Sequence, residues 1–279
     1  MIGKRQIVDA QVHLWWPESD AWKWVPNAPP QMPEPFTAER LLPMMDEAGV
    51  DRVVIVTPSW TGDRNDVGLD AAKRHPSRFG VMGRIPLQDA KSAERLAGWK
   101  QQPGMLGVRL TFLGRAAPWL TDGTADWFWP AAEKAGLPVM VLGTRIAELG
   151  RVAEAHPGLT LIIDHMGLAA ETVKAGKTAD MVAETVSLAK HPNVSVKLSG
   201  IPGYSNEAYP WRDMTGYIRR CTEAFGAQRC YWGSDLTNSF GKANYAQRIA
   251  QVTETLDFLS NEDKDWIMGR GILARLNWT

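Results

Sequence analysis

Short runs of apolar, β-branched residues recur along the chain, separated by stretches in which apolar positions return every three or four residues. Eight of these runs read as strands: Gln6–Val12, Arg52–Thr57, Phe79–Ile85, Leu106–Thr111, Pro138–Leu142, Leu159–Asp164, Val194–Leu198 and Arg229–Gly233. Val53-Val54-Ile55-Val56 and Leu161-Ile162-Ile163 are continuously apolar, the pattern of parallel strands covered on both faces. The intervening segments predict helices over Thr37–Ala48, Asp126–Ala135, Ile146–Ala155, Thr178–Ala189 and Tyr245–Leu259. Asp46-Glu47-Ala48-Gly49-Val50 and Glu133-Lys134-Ala135-Gly136-Leu137 each close a helix on a glycine ahead of the next strand. Such alternation specifies βαβ units on a parallel sheet. Eight strands with intervening helices in 279 residues and no linker predict one domain, 1–279, folded as a single (β/α)8 barrel of the TIM type. An open doubly wound sheet has the same local pattern and is the alternative.

The histidines then sort by position. His75-Pro76, His156-Pro157 and His191-Pro192 fall at helix-to-strand junctions, where proline stops the helix and an imidazole is placed to cap the last carbonyls. That puts them on the face where strands begin. His13 and His165 follow predicted strands instead, on the face where barrel enzymes keep their chemistry. The eighth strand runs into Gly233-Ser234-Asp235, delivering a carboxylate to the same rim, and closure of a barrel sets it beside Gln11 and His13. An aspartate among histidines serves as a general base or a metal ligand. The alternative is an Asp235 that caps the turn Leu236–Gly241.

Arg109 lies inside an otherwise apolar strand, where a guanidinium is costly unless it meets a carboxylate or an anion. Lys197 and Arg84 raise the same question, and a buried ion pair across the barrel is the structural alternative to an anionic ligand. Of the thirteen tryptophans, Trp15 and Trp60 are candidates for the walls of a pocket, and packing of loop on loop accounts for most of the others.

Composition narrows the class of partner. Thirty-one basic residues balance thirty-one acidic ones, so no overall field exists to hold nucleic acid or an anionic membrane surface. No run of eighteen apolar residues occurs, and the amino-terminal residues lack the apolar core of a secretion signal. Cys221 and Cys230 make at most one disulfide, which suits a reducing cytoplasm. The expected partner is a small anionic molecule, with a homodimer as the common assembly for such barrels.

At Ile7-Val8-Asp9-Ala10-Gln11-Val12-His13, Gly107-Val108-Arg109, Ile163-Asp164-His165-Met166-Gly167, Val196-Lys197-Leu198-Ser199-Gly200 and Trp232-Gly233-Ser234-Asp235, the sequence resembles the lactonase and decarboxylase branch of the amidohydrolase superfamily. The resemblance spans nearly the whole chain. It implies a barrel in which a first-strand His-x-His pair, a later histidine and a last-strand aspartate converge on a metal or on substrate. Here the pair reads Gln11-x-His13, and Val141-Leu142-Gly143-Thr144 stands where many members carry a fifth-strand histidine. An amide is a weak ligand beside an imidazole, so a metal-free site is favoured over zinc or manganese held by His13, His165 and Asp235. The implied chemistry is hydrolysis of a carboxylated lactone, with Asp235 as base and His13, His165 and Gln11 bonding the carbonyl oxygen, while Arg109, Lys197 or Arg84 holds the carboxylate. The alternatives are metal-dependent nonoxidative decarboxylation or hydration of an unsaturated acid, and a barrel that only binds a small molecule.

Overall fold

The computed structural model describes residues 5–279; the reading of the first four residues lies outside them. Eight parallel strands follow one another around the sheet in chain order: β1 (Val8–Val12), β2 (Arg52–Val56), β3 (Phe79–Gly83), β4 (Met105–Phe112), β5 (Val139–Gly143), β6 (Leu161–Ile163), β7 (Val194–Ser199) and β8 (Cys230–Gly233). Helices run between them, so the fold is a single (β/α)8 TIM barrel. Residues of one strand parity, such as Val53, Ile55, Val81, Val108 and Leu110, pack outward beneath the helices. The other parity, with Val54, Val56, Met82, Met140, Ile162 and Tyr231, fills the lower barrel, closed below by Ile272 and Leu276.

Two register shifts decide which side chains enter the barrel. Asp9 pairs with Val53 and Val12 with Ile55, so three residue steps on β1 match two on β2. This extra residue reverses the alternation and lets Gln11 and His13 face inward although Asp9 faces out. A second shift, between Val81–Met105 and Met82–Gly107, sets Arg109 and Thr111 on the inner face of β4.

Between β8 and β1 the seam is held by side-chain and loop contacts. The buried Asp9 carboxylate accepts from the backbone N–H groups of Gln11 (2.9 Å) and Ser234 (2.8 Å) through Oδ1, and from the Tyr245 hydroxyl (2.6 Å) through Oδ2. The Asp235 N–H donates to the Gln11 carbonyl at 2.9 Å. Burial raises the Asp9 carboxyl above its ordinary value, against the opposing pull of these hydrogen bonds.

The strand positions match the sequence reading closely, whereas the last long helix does not. Tyr245–Ala250 is α-helical, the next turn widens to π geometry over Gln251–Thr255, and the run ends before Leu259. Thr253 and Thr255 hydroxyls bond the carbonyls of Ile249 and Gln251, competing with backbone amides there. The three His-Pro histidines do lie ahead of strands, but their rings find other neighbours: His156 Nδ1 sits 3.0 Å from Glu133 Oε2, His75 packs edge-on to Phe79, and His191 Nε2 lies 3.8 Å from Glu154 Oε1. Cys221 and Cys230 are buried free thiols. Among the described residues no helix is long and apolar enough to cross a membrane.

Asp9→Ala leaves two buried N–H groups and a tyrosine hydroxyl unpaired at the seam, each worth about 1–3 kcal/mol. Urea unfolding is expected to show a loss of about 3 kcal/mol or more, with Asp9→Asn, which keeps an acceptor for the amides, losing less.

Candidate active site

Each chemistry-bearing residue is delivered by the carboxyl end of a strand. Gln11 comes from β1 and His13 from just past it, Arg109 and Thr111 from β4, Asp164 and His165 from just past β6, Lys197 and Ser199 from β7, and Asp235 from just past β8. His165 and Asp235 both hold left-handed backbone conformations, with φ of 52° and 45°. For non-glycine residues these are costly and concentrate at functional sites. They swing two side chains over the barrel mouth where a straight continuation of the strand would carry them past it. Asp235 stands ahead of the turn Leu236–Ser239 but makes no side-chain cap to it, so the turn-capping alternative does not account for its carboxylate.

His13, His165 and Asp235 are nearly fully buried. His13 Nδ1 lies 2.6 Å from the Val56 carbonyl oxygen, which can only accept, so the ring proton sits on Nδ1. Burial pulls the imidazole down to about 4, outweighing the opposite pull of Asp235, so the ring is neutral and Nε2 carries a lone pair. That lone pair faces Gln11 Nε2 at 3.3 Å and Asp235 Oδ1 at 3.6 Å. Asp235 Oδ1 is buried and has no hydrogen-bond partner in the protein. His165 Nδ1 is 2.8 Å from Ser199 Oγ, and burial lowers this ring's pKa too.

Below this rim sits an ionic cluster. Lys197 Nζ lies 2.7 Å from Asp164 Oδ1 and donates to the Gln11 side-chain carbonyl and, at 3.3 Å, to the Ala10 carbonyl. Arg109 Nε reaches Asp164 Oδ2 at 3.3 Å. Burial opposes ionisation of Asp164, but the Lys197 and Arg109 charges outweigh it and hold the carboxyl down to about 2. Lys197 is fully enclosed and its ammonium is taken up by the protein, which is the ion-pair alternative of the sequence reading.

Arg109 has a second face. Its Nη1 donates to Thr111 Oγ1, and Arg84 Nη1 reaches the same hydroxyl at 2.9 Å, while Arg84 Nε lies 3.4 Å from Asp63. Burial, followed by the repulsion of Arg109, lowers the Arg84 guanidinium to about 10. Both arginines line a cleft of about 580 Å³ with Thr111, Arg115 and Asp63. The Trp60 ring stands edge-on to His13 with centroids 5.6 Å apart, and Trp15 packs behind Trp60 at 5.3 Å. Trp60 therefore borders the site and Trp15 supports it from the core.

Several participants escaped the sequence reading. Thr111, Ser199 and Asp164 look like ordinary strand-end residues until their partners are placed, and Tyr204 packs on His165 with centroids 5.6 Å apart. Gly200 has φ +71°, and a Cβ there would meet Tyr204 at 2.9 Å, Asp235 Oδ2 at 3.2 Å and His165 Nδ1 at 3.3 Å. The missing side chain thus keeps open the space between carboxylate and imidazole. The signal available was the Ser-Gly step directly after a strand at the catalytic face.

A parallel barrel with imidazoles and a carboxylate buried at its mouth has the make-up of a hydrolytic enzyme. The sequence profile described as amidohydrolase matches residues 8–270, and the chain belongs to that family and is a hydrolase. It is 28% identical over 274 residues to an L-fucono-1,5-lactonase of Burkholderia ambifaria, covering 94% of this chain and 92% of the relative. A 4-sulfomuconolactone hydrolase of Rhizobium radiobacter is 25% identical over 232 residues, covering 77% and 69%. Among solved structures, a probable 2-pyrone-4,6-dicarboxylic acid hydrolase of Acinetobacter baumannii with citric acid bound superposes with TM-score 0.80 at 19% identity, covering 98% of this chain and 100% of the other. An amidohydrolase of Burkholderia multivorans with bound zinc does so with TM-score 0.80 at 20% identity, covering 98% and 99%. At these identities the structural likeness carries the fold.

Two outcomes follow for the rim. The folded-state pKa of His13, about 4, lies below its unfolded value of 6.5, so the unfolded chain binds more protons between them. This stabilisation is complete above pH 6.5 and falls away toward pH 4, by up to roughly 3 kcal/mol, and urea unfolding across that range is expected to lose slope in His13→Asn. Gly200→Ala is expected to cost about 1–2 kcal/mol of stability from its left-handed backbone. Its turnover should fall further than that, by about 100-fold, because the added methyl displaces Asp235 and His165.

Proposed function

We propose that the protein hydrolyses a small lactone or related cyclic ester carrying an anionic group. The observation that carries this reading is the buried Asp235 Oδ1, a carboxylate oxygen with no protein partner, set 3.6 Å from the lone pair of a neutral His13. That unpaired oxygen holds a water by one hydrogen and turns its oxygen lone pair outward. Asp235 takes one proton as that oxygen attacks the ester carbonyl carbon, and returns it to the ring oxygen as the carbon–oxygen bond breaks, giving the hydroxy acid.

The tautomer of His13 removes it from the carbonyl side of the reaction, since a bare Nε2 cannot donate. Stabilisation of the developing oxyanion falls to the Gln11 amide N–H and to His165, which carries its proton on Nε2 when the Ser199 hydroxyl donates to Nδ1. Substrate charge is met by Arg84 and Arg109, which converge on Thr111 in the adjoining cleft and are only partly balanced by Asp63 and Asp164. The lactone-hydrolase names of the sequence relatives support the reaction class.

Zinc in a structural relative raises the question of a metal here. The donor set does not fit one: Gln11 presents N–H to the site, His13 and Asp235 supply the neighbouring lone pairs, and Lys197 and Arg109 add positive charge close by. Among the described residues no group of three or more histidines, cysteines or carboxylates is placed to hold an ion.

Steady-state assay against lactones with and without a ring carboxylate tests the proposal. Asp235→Asn is expected to lower kcat by about 100- to 10,000-fold with KM little changed. Turnover preserved in that variant removes Asp235 as the base, and wild-type protein that binds carboxylated lactones without opening them makes the barrel a binding protein.

A further inference from the structure

Gln11 is the position at which this chain departs most plainly from a metal-binding first strand, and the structure pairs that departure with a second residue 186 positions away. The Lys197 ammonium has hydrogens only to give. It lies against the Gln11 side-chain oxygen, the Ala10 carbonyl, Asp164 Oδ1 at 2.7 Å and Met140 Sδ at 3.3 Å. With its oxygen bound in this way, the Gln11 amide can turn only its N–H toward His13 Nε2, which has a lone pair to accept it. Hydrogens are then given from Lys197 to Gln11 and from Gln11 to His13, with Asp164 beside the ammonium as its counter-charge and the Val56 carbonyl fixing the far side of the imidazole.

We propose that Lys197 is a positioning residue, an internal cation anchored by Asp164 that sets the orientation of the Gln11 amide and keeps the His13, His165 and Asp235 constellation from taking up a divalent metal. The proposal rests on the reading of that constellation as the reacting site. Lys197 touches no substrate in this account, since it is enclosed within the barrel and the anion cleft is lined by Arg84 and Arg109 instead. It acts in two ways. It removes the amide oxygen that would serve as a weak ligand, and its positive charge beside the site opposes a dication. Asp164, which could otherwise offer a carboxylate to an ion, is neutralised by the same ammonium and by Arg109.

The test reads bound metal rather than turnover, so its failure is distinct from failure of the lactonase reading, which the Asp235→Asn kinetics report. Wild type, Lys197→Met, Lys197→Arg, Gln11→His and the Gln11→His/Lys197→Met double variant are incubated with zinc, freed of excess by gel filtration and assayed by elemental analysis, with circular dichroism and thermal melting as the check of fold. Wild type and Lys197→Arg are expected to stay substoichiometric. The double variant should rise to about one equivalent, with Lys197→Met between. Adding His13→Ala to the double variant should abolish the gain. Gln11→His alone, with the ammonium retained, should bind much less than the double variant. Wild-type protein that holds about one zinc, lost in His13→Ala, overturns the proposal, and this arm needs no variant at Lys197 to fold. A folded double variant that remains free of zinc overturns it as well.

Discussion

The closing of the barrel depends on one buried carboxylate. Where β8 meets β1 the seam is joined by Asp9, which gathers the Gln11 and Ser234 amides on one oxygen and the Tyr245 hydroxyl on the other. This cross-seam fastening fixes the distance between Gln11 and Ser234, and therefore between His13 and Asp235, residues 222 positions apart in the chain. A buried carboxylate is costly on its own, and three donors offset that cost while giving the seam one geometry. The same few residues thus supply both the last joint of the scaffold and the placement of the Asp235 carboxylate.

Above that joint, the site is built as a chain of hydrogen bonds with one consistent direction. Asp164 is ionised because Lys197 and Arg109 surround it, Lys197 gives its hydrogens to Gln11, and Gln11 gives its own to His13. The orientation of the amide follows from a buried ion pair, and the Val56 carbonyl sets the tautomer of the imidazole that accepts from it. Such pairs contribute little net stability and a good deal of specificity when every member is satisfied. Positive charge left over on the β4 side opens onto the cleft with Arg84, apart from the His13 and Asp235 pair.

Strain marks the residues that reach over the rim. His165, Met166 and Asp235 hold left-handed backbone conformations, and Gly200 beside them must lack a side chain for the space between carboxylate and imidazole to exist. The scaffold below is continuous and apolar on both faces of its strands, able to hold these conformations in place. The conformational cost is confined to the strand ends where substrate would sit.

The sequence by itself determined the eight strands and the strand ends at which His13, His165 and Asp235 emerge, because buried parallel strands must be apolar and the turns after them need not be; the order of the strands around a barrel came from the structure. It also marked Arg109 and Lys197 as residues needing partners, since a charge in an apolar strand is always answered by another group. Only the tertiary structure decided which group answered. Lys197 was open to a substrate role until Asp164 and Gln11 were found around it, and Asp9, two residues from Gln11 on one strand, would share its face if the strand were regular. One extra residue in the β1–β2 register sends Asp9 outward to the seam and Gln11 inward to Lys197. A local pattern of period two carries no trace of such a shift, because it arises from fitting β1 against its neighbour in a closed barrel.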